Sequence, residues 1–143
     1  MRVMIDTNVM LSAIIFRSAN AVRTIELASG RDHELVLSTF TIDEAREVVA
    51  RKWPDRVEAL EQFLLQLSFD VVVTPLTPKT GLFEIRDPND YPVLYSAIIG
   101  AVDVFVTGDK DFSDVRIGSP SILTPAGLTA ETATLLRAGA GTS

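Results

Sequence analysis

Short apolar runs alternate with amphipathic segments along most of this chain. Five of these runs have the length of buried strands and fall at residues 2–5, 34–37, 69–73, 103–106 and 121–123. Between them, apolar residues recur at helical spacing and predict helices at 9–16, 21–29, 55–67, 90–100 and 129–137, with a further helix that ends at 52 and is capped by Ser38 or Thr41. Strands that alternate with helices predict an α/β fold whose parallel sheet is covered on both faces.

The chain has the size of one domain. Its 143 residues can enclose a single core, and neither a repeat nor an internal linker interrupts the pattern. We therefore predict a single domain over residues 1–137, with 138–143 as a mobile tail. The first residues lack the apolar region of a signal peptide, and no stretch is apolar over the length of a bilayer. The expectation is a cytoplasmic protein that makes no membrane contact.

The composition restricts the chemistry that the chain can perform. It contains no cysteine and a single histidine, His33, which excludes disulfides, thiolate nucleophiles and zinc sites built from cysteine or several histidines. A Ser-His-Asp catalytic set is not expected, because His33 stands alone just before a predicted strand, and there is no glycine-rich phosphate loop. Any metal would be held by oxygen atoms, which suits Mg²⁺ or Mn²⁺.

Acidic residues outnumber basic ones by 19 to 13, which gives a net charge of −6. This balance argues against broad contact with a nucleic-acid backbone, which requires a positive surface. The argument weakens if several carboxylates converge on metal, because bound divalent cations reverse the potential that a phosphate meets.

Two acidic residues follow predicted strands. Asp6 closes the first strand, and Asp109 follows the strand that ends at Val106. Ligands of an open parallel sheet bind beyond the carboxyl ends of its strands, so the two carboxylates would share a site if these strands are neighbours. The alternative for Asp6 is a helix N-cap, but Thr7 and Asn8 could cap equally well, which favours a functional role. The alternative for Asp109 is a turn residue.

Glu44 and Asp90 are further acidic candidates on predicted helices. Glu44 borders an apolar stripe, which would let it lean over the sheet edge, but it is equally placed to form a capping box with Thr41. Asp90 lies on the apolar face of its helix, where a carboxylate is costly unless something pairs with it. We interpret the nearby Asp87 as a loop or capping residue.

These residues fall in four segments whose order and spacing resemble those of the PIN-domain family, closest to its VapC-like branch of type II toxins. The segments are 4–9, 38–44, 86–90 and 106–112, and the resemblance extends from residue 1 to about 128. It assigns the catalytic and metal-binding acids of the family to Asp6, Glu44, Asp90 and Asp109, and supporting polar positions to Asn8 and Thr107. It leaves Asp111 as an extra acid and Asp103 as a cap for its strand, while Pro92 departs from the family's usual helix formers.

The resemblance implies a three-layer α/β/α sandwich and a metal-dependent ribonuclease that uses Mg²⁺ or Mn²⁺ to hydrolyse RNA phosphodiester bonds. It also implies an antitoxin partner and a homodimer, and the apolar helices on either side of Pro54 favour the dimer as well. Arg51 and Lys110 could hold the RNA backbone at the rim of the site, although exposed cations are equally often solvated surface.

Other functions remain open at this point. A PIN-like module that binds RNA or acts as a scaffold without catalysis would have no need of all four acids. A magnesium-dependent phosphatase of the haloacid-dehalogenase type requires a second aspartate two residues after the first, where this chain has Asn8. A response-regulator receiver is a weaker alternative, suggested by Lys110 directly after Asp109.

Overall fold

The computed structural model of the protein describes residues 1–131. The strands are β1 (Arg2–Ile5), β2 (Glu34–Ser38), β3 (Asp70–Val72), β4 (Val104–Val106) and β5 (Ser121–Leu123). The helices are α1 (Thr7–Ile14), α2 (Ala19–Ala28), α3 (Thr39–Lys52), α4 (Val57–Gln66) and α5 (Tyr91–Ile99). A further helix, α6, begins at 125. Short 3₁₀ turns occur at Pro54–Arg56, Pro88–Asp90 and Lys110–Phe112.

The strands form one sheet in the order β3-β2-β1-β4-β5, and all neighbouring strands are parallel. The chain builds the sheet outward from β1 to β3 and then returns to the other side of β1 with β4 and β5. The direction of winding therefore changes between β1 and β4, which pair with Ile5 opposite Val106. This confirms that the strands preceding Asp6 and Asp109 are neighbours. Such a switch point opens a crevice beyond the carboxyl ends of the strands.

Helices cover both faces of the sheet. Successive strand residues point to opposite faces, so Val3 and Ile5 join one core, with side chains from α1 to α4, whereas Met4 joins the other, against α5. Phe105 on β4 packs edge-on against Phe112 on the α5 face. The expected three-layer α/β/α sandwich is confirmed. Within residues 1–131, no helix is both long enough and apolar enough to cross a membrane.

Several element boundaries differ from the prediction. Helix α1 starts at Thr7 because the preceding Asp6 caps it directly, without an intervening loop. Helix α2 starts at Ala19, two residues earlier than predicted. Helix α6 starts at 125, four residues earlier than predicted, where a proline suits a first turn that needs no N–H donor. The rest of the predicted terminal helix, and the predicted tail at 138–143, lie outside the described residues.

Candidate functional site

Asp6 lies at the centre of the crevice, where β1 passes directly into α1. Its side chain is only 7% exposed. One carboxylate oxygen, Oδ1, accepts a hydrogen bond of 2.7 Å from the amide of Thr7, and the other, Oδ2, accepts one of 2.9 Å from the hydroxyl of Thr107. Asp6 is therefore the N-cap of α1, as its alternative interpretation held. Capping requires only one of the two oxygens, which leaves a buried anion at the switch point.

The segment after β4 is tied to Asp6 by a chain of hydrogen bonds. The hydroxyl of Thr107 also accepts a bond of 3.0 Å from the amide of Asp109. The side-chain oxygen of Asn8 accepts a bond of 3.2 Å from the amide of Gly108, which joins α1 to the same loop. Asp109 caps the 3₁₀ turn that follows by accepting a 2.9 Å bond from the amide of Asp111. Asn8 and Thr107 thus occupy positions from which they can orient two of the candidate acids.

Replacement of Thr107 by valine keeps the shape of the side chain but removes the hydroxyl between Asp6 and the amide of Asp109. We expect Thr107→Val to weaken metal binding about 10- to 100-fold, the range for loss of a group that orients a ligand. Thr107→Ser retains the hydroxyl and serves as the control. Calorimetric titration with Mn²⁺ measures both variants, and equal affinities in the two would contradict this positioning role.

Glu44 lies on α3, which starts directly after β2 at the same edge of the sheet. The N-cap of α3 is Ser38, whose hydroxyl oxygen accepts a 3.1 Å bond from the amide of Thr41. The capping box of Thr41 with Glu44 is therefore wrong, because the helix begins three residues before Thr41 could cap it. Glu44 is half-buried, and it is close enough for its charge to raise the pKa of Asp6.

Asp90 belongs to a second group of acids in the crevice. Carboxylate oxygens of Asp87, Asp90 and Asp111 all lie within 4.8 Å of one another. Asp87 caps the turn before α5 by accepting a 3.0 Å bond from the amide of Asn89, so its capping interpretation is confirmed, yet it also joins the cluster. In the described part of the chain, Oδ2 of Asp90 is buried without a hydrogen-bond partner. Pro92 lies in the first turn of α5, where it displaces no helical hydrogen bond.

Two of these acids have strongly raised pKa values. Burial raises the pKa of Asp6 to about 6, with added repulsion from Glu44 and Asp109 and partial relief from its two hydrogen bonds. Burial also raises the pKa of Asp90 to about 6, helped by the charges of Asp109, Asp87, Asp6 and Asp111. Repulsion from neighbouring carboxylates contributes to both shifts. Burial is the larger cause in both residues.

The two cations expected at the rim of the site, Lys110 and Arg51, lie in different positions relative to the candidate acids. Lys110 is exposed directly after Asp109, whereas Arg51 is exposed in the last turn of α3, about 10 Å along the helix axis from Glu44. Sequence reasoning missed Arg86, whose guanidinium lies 3.6 Å from Asp111 and 3.5 Å from Asp114. Its position directly before Asp87 was the available signal.

Asp103 lies at the opposite edge of the sheet. It accepts a 2.7 Å hydrogen bond from the amide of Arg2. This contact fits the strand-capping role expected for Asp103, whose carboxylate lies outside the acidic cluster.

The donor set fits a hard divalent cation. Within residues 1–131, the one group of three acids whose carboxylate oxygens lie within 4.8 Å of one another is Asp87, Asp90 and Asp111, so of the acids predicted to bind metal only Asp90 belongs to it. Mg²⁺ and Mn²⁺ prefer such carboxylate oxygens, and Oδ2 of Asp90 has no hydrogen-bond partner among the described residues. An unpaired buried carboxylate oxygen is costly unless a cation compensates it. The residues present therefore suit a metal ion that would relieve the repulsion within the cluster.

Comparison with solved structures finds proteins with the same fold. A chain of the crystal structure of VapBC2 from Rickettsia felis, bound to a DNA fragment from the promoter, superposes with a TM-score of 0.66 at 18% identity, covering 87% of this chain and 98% of that one. DNA-bound VapBC from Salmonella typhimurium gives a TM-score of 0.62 at 18% identity, with 87% and 98% covered. Mycobacterium tuberculosis VapC20, described as a toxin that cleaves the sarcin-ricin loop, gives 0.58 at 14% identity, with 78% and 92% covered.

At these identities the structural matches show a shared fold. No curated protein matches the sequence. The family model of the PIN domain, however, matches residues 2–111, which include every acid of the crevice. This match does not favour the phosphatase or receiver alternatives. The chain belongs to the PIN domain family.

Proposed function

We propose that this protein is a divalent-metal-dependent endoribonuclease and the toxin of a toxin–antitoxin pair. The observation that carries the proposal is the meeting of several carboxylates at the switch point, where Asp6 and Asp90 are destabilised in their charged forms. A crevice that concentrates negative charge does not suit RNA by itself. It suits RNA when a cation is held between the carboxylates and the phosphate.

Each acid has a definite part in this proposal. Asp6, Asp90 and Asp109 would hold the metal, and Glu44 would complete the set or accept a proton from the attacking water. A divalent cation held there supplies a Lewis acid that polarises the phosphodiester and makes a water more acidic. Thr107 and Asn8 fix the loop that carries Asp109. Arg86 has its guanidinium beside the cluster and would pair with a phosphate oxygen of the RNA.

A catalytically silent RNA-binding or scaffold module explains this arrangement less well. Such a module gains nothing from buried carboxylates that raise each other's pKa values. Replacement of one acid by its amide would stabilise a scaffold at no functional cost, whereas a metal-dependent nuclease needs the charge. The unpaired oxygen of Asp90 favours the nuclease for the same reason.

Cleavage of RNA by the purified full chain tests the proposal. We expect cleavage with Mg²⁺ or Mn²⁺, none with EDTA, and recovery when metal is added back. Glu44→Gln is expected to lower kcat by at least about 100-fold, the scale for loss of a general base. Glu47→Gln is the matched control, because Glu47 is an exposed glutamate on the same helix whose charge does not contribute to the raised pKa of Asp6 or Asp90. Cleavage that survives chelation, or an equal loss in both variants, would refute the proposal.

The solved structures of VapBC support an antitoxin protein as partner. We also propose a homodimer, since α4 exposes Leu65 (78%) and Val57 (39%) on its surface. Light scattering is expected to give twice the mass of the 15.6 kDa chain. A monomer mass at high micromolar concentration would contradict the dimer.

A further inference from the structure

An apolar cleft lies beside the candidate metal site, at the start of α5. It has a volume of about 680 Å³, within the range of small-molecule sites. Phe83 and Tyr91 form its aromatic wall, and Pro78, Pro88 and Pro92 contribute rigid apolar rings. The catalytic proposal assigns no role to this cleft.

The walls of the cleft are held in place before any ligand binds. The rings of Phe83 and Tyr91 stack with centroids 4.3 Å apart and planes inclined by 14°. The hydroxyl of Tyr91 donates a hydrogen bond to the carbonyl of Lys79 and accepts one of 3.3 Å from the amide of Leu82. These contacts fasten the loop before α5 onto the helix, so little order remains to be gained on binding.

The cleft and the acidic cluster are close together along the chain. Pro88 of the lining directly follows Asp87 and Tyr91 directly follows Asp90, although none of the cluster acids lines the cleft itself. A cleft at this separation is within reach of a nucleoside whose phosphodiester is held at the cluster.

The chemistry of the lining favours a base over a phosphate. No lysine or arginine lines the cleft, while the exposed carboxylate of Glu84 does, and within residues 1–131 no cation is paired with it. An anion would be repelled there. A flat apolar group with N–H donors fits, because aromatic and apolar walls bind base faces and a carboxylate accepts from amino groups.

We propose that this cleft binds the base of a nucleotide next to the scissile phosphodiester, with Glu84 accepting a hydrogen bond from the base. The inference rests on the proposed ribonuclease function for its RNA substrate. An apolar side chain of a partner protein is the other conceivable occupant. Such a side chain would form no hydrogen bond with the carboxylate of Glu84. A separate apolar cleft at Val22, Ile25 and Phe63, on the other face of the sheet, is available for an apolar contact with a partner protein.

Nucleoside binding tests the cleft without relying on catalysis. Amide chemical shifts of the full chain are followed by NMR in EDTA, with cytidine or guanosine at millimolar concentration and ribose as the control. We expect saturable shifts at the cleft residues with the nucleosides and none with ribose. Thr80→Trp fills the cleft from its exposed rim and should weaken binding at least about tenfold, whereas Thr77→Trp, in the same loop but outside the lining, should not.

The role of Glu84 has a sharper test. Glu84→Ala is expected to weaken the binding of cytidine, which has an exocyclic amino donor, more than that of N4,N4-dimethylcytidine, which has none. Equal losses for the two ligands would remove Glu84 from the proposal.

These experiments distinguish a failure of the cleft proposal from a failure of the proposed ribonuclease function. If nucleosides shift the amide resonances of the cleft residues but the protein does not cleave RNA, base binding by the cleft is supported and the ribonuclease function is refuted. RNA cleavage with an unchanged KM in Thr80→Trp, together with no nucleoside shifts in the parent protein, would refute the cleft alone. Loss of antitoxin binding in Thr80→Trp with unchanged nucleoside shifts would identify the cleft as a protein-docking surface and would also overturn the proposal.

Discussion

Asp6→Asn is expected to make the metal-free protein more stable and to reduce RNA cleavage to background. The raised pKa of about 6 means that the charged carboxylate destabilises the fold at neutral pH, by about 3 kcal/mol relative to an ordinary aspartate. Asparagine removes that charge at nearly constant volume. Its carbonyl can accept from Thr7, and its amide can donate to the hydroxyl of Thr107, so neither contact need be lost.

Thermal unfolding in EDTA should therefore give a higher Tm for Asp6→Asn than for the parent protein, by several degrees. Addition of Mg²⁺ should raise the Tm of the parent and leave that of the variant unchanged. Asp103→Asn is the control, since Asp103 is an exposed aspartate at the opposite sheet edge whose loss should neither raise the metal-free Tm nor reduce cleavage. A lower metal-free Tm in Asp6→Asn would show that the carboxylate is structural.

Metal binding should stabilise the protein strongly above pH 7 and hardly at all near pH 5. Asp6 and Asp90 carry pKa values of about 6 in the folded protein, above the ordinary aspartate value of 3.8. The folded state then binds protons more tightly than the unfolded chain. In the absence of metal, these groups add stability as the pH falls from 7 through 6, and the gain is complete below about 4.

Metal competes with those protons, because the ligands must be ionised. At a metal concentration of 100 times its dissociation constant, stabilisation should reach about 2.7 kcal/mol at pH 7.5 and should largely vanish by pH 5. The measurement is the Tm with Mg²⁺ and with EDTA across this range, repeated on Asp6→Asn to remove one of the two groups. A metal-induced shift in Tm that is independent of pH would show that the metal binds elsewhere.

The centre of the sheet could be predicted from the sequence because β1, β2 and β4 are mostly buried and therefore almost continuously apolar, whereas the edge strands β3 and β5 are more exposed. The position of Asp6 followed from the same feature, since a carboxylate that ends such a run must lie at the strand's carboxyl end. Asp109 was found similarly through the run at Val104–Val106. Helix boundaries were less accurate, because several polar residues can precede a helix and only the local geometry decides which of them caps it, as Ser38 and Thr41 show for α3.

The outer part of the site could not be predicted, because it is formed by contacts between segments that are distant in the sequence. Asp87 and Asp111 are far apart in the sequence, and each has a sufficient local role as a cap or turn residue. The resemblance left Asp111 as an extra acid of the site, but no local pattern placed it beside Asp87. Arg86 gave no periodic signal because it lies in a loop. The cleft beside Tyr91 was equally hidden, since it exists only when the loop around Phe83 folds onto α5.

The proposed function requires Asp6, Asp90 and Asp109 to hold one divalent cation. The most direct test is a crystal of the full chain soaked with Mn²⁺, in which the anomalous difference map locates the ion. We expect an anomalous peak bounded by oxygens of these three residues, which disappears in Asp6→Asn crystals soaked in the same way. A peak held only by Asp87 and Asp111, or no peak at pH 7.5 and saturating Mn²⁺, would contradict the claim.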